Sequence, residues 1–413
     1  MKVLIVCDLF PPAFGPRMGY LCKYMKRNGW EPVVVTEYIE DQTFAFLKGE
    51  TEVTYVRYYK TSKGITRKLE WLSILFMDFL FHYKERKMIN AATPLLKEGK
   101  YAGILCSTYR AFPLPAAQKI AERFKLPLVA DLRDIIEQYA ANEFIAHSFH
   151  TFPWLDRQIT KIFRNRLLKD RNKALAKTAC ITTVSPWHAE VLKEFNPKTE
   201  LIYNGYDPEL FFPEQHKTER FTITYTGRLI SLATRDPRLL FEAITRLDKE
   251  KIITPDTFRV EWYIDNESKT ILETFAGTFP IFAYFDFPGY VPASKIPGIL
   301  NRSSILLQLA NKTTASGPKG FMTTKLFEAM AVEKPLLCVR SDESCLEETI
   351  NRTQTGLAAR TAEEVYDFLF HYYREWQVKG YTSIQVNREE VEKFSRKKQA
   401  EQFINIFTEL NHS

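Results

Sequence analysis

Residues Ser316–Val339 read SGPKGFMTTKLFEAMAVEKPLLCV, and this stretch decides the fold. A Gly/Pro loop leads to Thr323 and Thr324, either of which can cap a helix by accepting a bond from a free backbone N–H. Leu326–Ala331 continues as a helix, and after Lys334-Pro335 the apolar Leu336–Val339 reads as a buried strand. The N–H groups and positive dipole end of such a helix suit an anion, typically a phosphate. Glu328 lies one turn further in, where a carboxylate can grip sugar hydroxyls.

Working outward, the same alternation recurs. Val3–Cys7 is a continuous apolar strand, followed by the loop Pro11–Gly19, a helix Tyr20–Arg27 closed by Asn28-Gly29, and a strand Pro32–Thr36. Val53–Tyr58, Gly103–Cys106, Leu128–Ala130, Ile181–Val184 and Glu200–Tyr203 continue the strands. A composition shift at Asn204–Phe212 precedes a second series: Thr222–Tyr225, Val260–Ile264, Phe282–Phe285 and Ile305–Leu309 as strands, with helices between. The fold class is therefore α/β, with doubly wound parallel sheets whose ligands bind at the carboxyl ends of the strands. At 413 residues the chain exceeds one core. The expected division is 1–205, joined by a C-terminal helix near 388–413, and 206–387.

The charge is uneven. Residues 1–200 hold 31 Lys+Arg against 21 Asp+Glu, a net of +10, while the remainder is slightly acidic. A basic half implies an anionic partner, a membrane surface or a nucleic acid. The six cysteines form no CxxC pair and read as reduced core residues, which places the protein in the cytoplasm. His147 and His150 lack Cys or Asp partners, so no metal site is expected.

Three places carry candidate chemistry. The loop Phe10–Gly19 occupies the position of a phosphate or sugar loop after the first strand. Arg228 follows the first strand of the second series, where it can bind a diphosphate, and Arg235 supplies a second charge or an Asp236 ion pair. Asp131-Leu-Arg-Asp134 sets two acids and an arginine at a strand end. A catalytic or substrate role there stands against an internal Arg133–carboxylate network.

In order along the chain, Ile181–Trp187 (ITTVSPW), Leu201–Asp207 (LIYNGYD) with Phe211, Tyr225–Arg228 (YTGR) and Lys325–Ala331 with Lys334-Pro335 resemble the signatures of retaining GT-B glycosyltransferases of family GT4. The resemblance implies two Rossmann-like domains facing a deep cleft, an NDP-sugar donor with no metal or other cofactor, and sugar transfer with retention. It assigns the diphosphate to Arg228, the donor ribose to Glu328, phosphate contacts to Met322, Thr323 and Thr324, and the base pocket to Tyr290 and Val291. Gly19 belongs to its first-domain loop. Three positions depart from the family: Gly320 replaces a second glutamate, Glu333 replaces the glycine before Lys334, and Arg235 or Lys325 must replace a lysine after the arginine. The family's first-domain histidine has no counterpart near Ser107-Thr108, so Asp131, Arg133 and Asp134 are the expected acceptor or reaction-centre residues, with Arg228 at the leaving group.

Trp71–Phe81, apolar almost all round and flanked by Arg67, Lys68, Lys84, Arg86 and Lys87, reads as a core helix or an interfacial one. With the basic run Lys161–Lys177 it favours a glycan or lipid-linked acceptor at the inner membrane face. A nucleic acid is disfavoured, since no binding motif accompanies the charge. The expected activity is hexosyl transfer in bacterial surface glycan assembly. The alternatives are a non-catalytic nucleotide-sugar-binding scaffold and a GT-B nucleotide-sugar epimerase.

Overall fold

The computed structural model describes residues 1–60, 64–139, 152–233, 235–277, 279–311, 320 and 322–412. The chain divides into two compact units, Met1–Tyr203 with Gln399–Ser413, and Asn204–Lys398.

The first unit holds a parallel sheet of seven strands: β1 (Lys2–Cys7), β2 (Glu31–Glu37), β3 (Glu52–Val56), β4 (Tyr101–Thr108), β5 (Leu128–Leu132), β6 (Cys180–Thr183) and β7 (Thr199–Leu201). Their order is β3-β2-β1-β4-β5-β6-β7. Chain direction across the sheet reverses between β1 and β4, so the crevice for a ligand opens at their carboxyl ends. Val3–Cys7 is wholly buried because helices cover both faces. One face packs on Met88, Ala92, Leu114 and Ile120; the other packs on Met18, Leu21, Phe403 and Phe407.

The second unit holds β8 (Phe221–Thr226), β9 (Phe258–Tyr263), β10 (Phe285–Asp286), β11 (Ile305–Leu309), β12 (Leu336–Val339) and β13 (Gly356–Ala359), in the order β10-β9-β8-β11-β12-β13. Every pairing is again parallel, and the reversal lies between β8 and β11. Its core is aromatic: Phe221, Phe241, Phe258, Trp262 and Tyr373 interlock at ring-centroid distances of 5.4–6.4 Å.

The structure shifts several expected boundaries. The first helix begins at Pro16, whose fixed φ suits a first turn, so Gly19 lies inside it. Phe282–Tyr284 forms a 3₁₀ turn, which shortens the predicted strand to Phe285–Asp286. The return to the first unit falls at Gln399, later than expected. The segment before it is held in the second unit by Phe327 stacked on Phe394 at 4.9 Å, and by the Arg388–Glu333 and Arg352–Glu390 ion pairs.

The helix Gly64–Phe81 contains the Trp71–Phe81 run, and its sole buried residue is Ile74. Ile65, Leu69, Leu72, Phe76, Phe79 and Leu80 are all exposed. Leaving each such side chain in water forgoes about 1.5–3 kcal/mol. Among the described residues no helix is long and apolar enough to cross a membrane.

Candidate functional site

In the second unit the residues of interest gather at the carboxyl ends of β8 and β11. After β8 the backbone turns at Gly227, with φ at +132°. A Cβ on Gly227 would overlap Lys325 Nζ, so the absence of a side chain is what admits the lysine. Arg228 follows, three-quarters exposed, with Nε 3.0 Å from Asp265 Oδ2. The loop is pinned from beneath: Leu229 N donates to Ser268 Oγ at 2.9 Å, and Tyr225 Oη donates to Arg228 O at 3.0 Å. Arg235 Nη1 donates to the same carbonyl. The helix Asn266–Ala276 is capped by Asp265, which accepts from Ser268 N at 2.9 Å.

Lys325 and Glu328 are three apart on the helix Thr324–Ala331, and so share a face. Burial, with Arg235 and Arg228 nearby, lowers the Lys325 pKa to about 8, against the pull of Glu328. Burial likewise raises the Glu328 carboxyl to about 7, although Arg396 and Lys325 oppose the shift. The region thus concentrates positive charge around Lys325, with one carboxylate a turn away. Such a field stabilises a bound anion.

Thr323 occupies the N-cap position as expected, yet its hydroxyl makes no capping bond, and among the described residues its buried Oγ1 has no partner. Met322 is buried, with its sulfur accepting from Thr349 Oγ1 at 3.2 Å. Ser316–Lys319 of the preceding loop lies outside the described residues, as do His147 and His150. Tyr290 is 77% exposed beyond β10, and Val291 beside it is half-buried.

Two of the departures from the family pattern have a backbone explanation. Gly320 has φ at +70°, a conformation that a glutamate would adopt only with strain. Glu333 sits at φ +51°, where a glycine would be unstrained, and Arg388 grips its carboxylate at 2.6 and 2.9 Å.

In the first unit Asp131 lies within β5 and is fully buried. It accepts from Arg17 Nε and Nη2 at 2.9 and 2.8 Å, from Ser107 Oγ at 2.9 Å and from Thr182 Oγ1 at 2.9 Å. Burial opposes ionisation here, but the Arg17 guanidinium and the two hydroxyls hold the carboxyl below its ordinary range. Arg17 also donates to the carbonyls of Tyr203 and Ile202 at 3.1 and 3.0 Å. With its lone pairs committed, Asp131 braces the start of the first helix against β4–β6. Gly19 plays a related part: its N–H bonds Gly15 O at 3.1 Å, and an added Cβ would crowd the Pro11 ring at 2.7 Å.

Arg133 and Asp134 face a different group. Arg133 Nη2 is 2.5 Å from Asp8 Oδ1, and Asp8 Oδ2 accepts from Tyr109 N at 3.3 Å and Thr108 Oγ1 at 3.4 Å. Asp134 accepts from Gln138 Nε2 at 3.0 Å, and Gln138 Oε1 meets His188 Nε2 at 2.8 Å. Glu37, the last residue of β2, is 3.7 Å from Lys84 Nζ. Burial pushes the carboxyls of Asp8, Glu37 and Asp134 above their ordinary range, and lowers the pKa of His188 to about 4. Asp8 and Glu37 escaped the sequence reading. The available signal was an acid directly after the first buried strand, where a doubly wound sheet places its ligand. Among the described residues no three His, Cys, Asp or Glu side chains group as metal ligands.

No protein-family model matches the sequence, and no curated protein matches it. Solved structures do. HepE from Anabaena, in complex with UDP, superposes with a TM-score of 0.62 over 99% of this chain and 100% of that one, at 14% identity. The lipopolysaccharide outer core galactosyltransferase WaaB gives 0.57 over 99% of each chain, at 14% identity. The UDP-GlcNAc 2-epimerase of Methanocaldococcus jannaschii gives 0.52 over 99% and 100%, at 10% identity. At these identities the likeness is one of fold. With two parallel, doubly wound sheets in series, the chain has the GT-B architecture.

Proposed function

We propose that this protein is a retaining glycosyltransferase of the GT4 type that moves a hexosyl group from an NDP-sugar to a glycan or lipid-linked acceptor. The observation that carries the reading is the Lys325 ammonium seated in the space beside Gly227, near Arg228 and Arg235, with Glu328 one turn on. Cations at the end of β8 suit a diphosphate, and a carboxylate beyond them suits the hydroxyls of a ribose. As the glycosidic bond breaks, negative charge grows on the leaving diphosphate. Arg228, Lys325 and the first N–H groups of the helix Thr324–Ala331 would stabilise it there. Side-chain cations would neutralise the donor, so the reading takes the NDP-sugar as the small-molecule substrate without a metal or further cofactor. Tyr290 and Val291 would meet the base. In the first unit Arg133, Asp134 and Asp8 would contact the acceptor, with Asp131 as the brace behind them.

The basic first unit supports a setting at the inner face of a membrane, in bacterial surface glycan assembly, and both HepE and WaaB share its fold. A thermal-shift panel of NDP-sugars tests the donor site, since a binder at 100 times its Kd adds about 2.7 kcal/mol of stability. Arg228→Ala should abolish that shift. Full transfer by this variant under limiting donor would refute the assignment.

Asp8, Glu37 and Asp134, all with raised pKa, favour one second reading: epimerisation of the nucleotide sugar, which requires side chains that exchange protons. Incubation with donor alone separates the two. An epimerase produces a new NDP-sugar without an acceptor; a transferase does not.

A further inference from the structure

We infer that the exposed face of the helix Gly64–Phe81 is a docking surface for an anionic phospholipid bilayer. Ile65, Leu69, Leu72, Phe76 and Leu80 recur at three- and four-residue intervals and so form one stripe, about 23 Å long at 1.5 Å per residue. All five are about half exposed or more, and Met77, Phe79 and Phe81 add further exposed apolar surface to the helix. The helix is poorly seated on its own unit. Behind it, towards the helices Leu114–Phe124 and Pro153–Leu175, lies a cavity of about 400 Å³ lined in part by Leu75, Phe79, Phe112, Phe163 and Leu167. A core helix fills such space; this one turns most of its apolar side chains outward.

The helix is nonetheless fixed in place. Phe79 stacks near Phe163 at 6.3 Å, and Arg166 Nη2 donates to Phe79 O at 2.8 Å. The surrounding charge selects the occupant. Lys68 is exposed on the helix itself, Arg86 is exposed on the helix that follows, Tyr83–Glu98, and Lys161 and Lys169 are exposed on the helix Pro153–Leu175. A second copy of this chain would set cations against cations, whereas an anionic lipid surface complements them. An apolar stripe flanked by bases describes a helix lying in the interface plane, and none of the described helices can span the membrane. The choice of a phospholipid rests on the membrane setting proposed above; the surface itself does not depend on the donor.

The test is flotation of the full chain with vesicles of phosphatidylcholine alone, and of phosphatidylcholine with phosphatidylglycerol. The protein should rise with the anionic vesicles and stay behind with the neutral ones. Lys68→Gln/Arg86→Gln should weaken partitioning about twenty-five-fold, at about fivefold per cation. Leu72→Ser/Phe76→Ser should weaken it about tenfold or more with Tm unchanged, since both side chains already face solvent. No flotation, or equal flotation of both variants and the parent, overturns the inference. So does a dimer in sedimentation that Leu72→Ser/Phe76→Ser dissociates without any vesicle binding. The NDP-sugar thermal shift reads separately: flotation without a donor shift sinks only the transferase reading, and a donor shift without flotation sinks only this surface.

Discussion

Lys325 Nζ occupies the volume that a side chain on Gly227 would need, which joins the helix Thr324–Ala331 to the loop after β8 through a missing methyl group. Gly227→Ala therefore has to expel the ammonium and also adopt φ near +132°, where L residues are strained. Affinity for the NDP-sugar that shifts the parent's Tm should fall about tenfold, or ~1.4 kcal/mol, in a calorimetric titration. Unchanged affinity would show that the lysine does not serve the donor.

On the proposed reading, the two groups on that helix set the pH profile of transfer. Donor capture needs Glu328 ionised, above about 7, and Lys325 protonated, below about 8. The kcat/KM profile should accordingly be a narrow bell with limbs near those values. Glu328→Gln should erase the acid limb. Stability carries the opposite sign for Glu328. Its folded pKa is raised, so the native state holds a proton that the unfolded chain releases near 4.3, and its contribution to stability declines from there to about 7. Glu328→Gln should thus raise Tm at pH 8 and leave it nearly unchanged at pH 4.

Arg17 and Asp131 form a buried bidentate pair. Arg17→Met strands a buried carboxylate, so urea unfolding should show a loss of about 3–5 kcal/mol. Arg17→Met/Asp131→Leu should recover part of that. Because the Asp131 pKa is depressed on folding, the pair stabilises fully above the unfolded carboxyl pKa of about 3.9 and less as pH falls through the folded value. Arg17→Met should hence unfold at a higher pH during acid titration.

If Asp8 contacts the acceptor as proposed, Asp8→Asn separates the acceptor side from the donor side. It removes the charge that holds Arg133 and should lower transfer about a hundredfold. The thermal shift with the NDP-sugar donor should not move. A variant that loses the donor shift as well would place Asp8 in donor binding.

The elements of the fold were legible because their signals are local. Val3–Cys7 and Leu336–Val339 announce buried strands as unbroken apolar runs, and Asn28-Gly29 and Thr323 mark helix ends within a few residues. The function of Asp131 was not legible in this way. Its acid reads like a site residue until Arg17, 114 positions earlier, claims both oxygens. Asp8 had the reverse problem, being one acid among many until the strand order sets it beside Arg133. Gly320 looks like a lost carboxylate in the sequence; its positive φ makes it a backbone requirement.

The discontinuity of the first unit bears on how the chain is made. Phe403 and Phe407, both wholly buried, pack with Val3, Ile5 and Met25 on one face of the first sheet. Phe407 also presses so closely on Gly103 that a Cβ there would lie 2.7 Å from its ring. These aromatics are translated after all of Asn204–Lys398. A nascent first unit must therefore carry an open apolar slot along one sheet face for the whole synthesis of the second. Its folding closes only when the C-terminal helix leaves the ribosome.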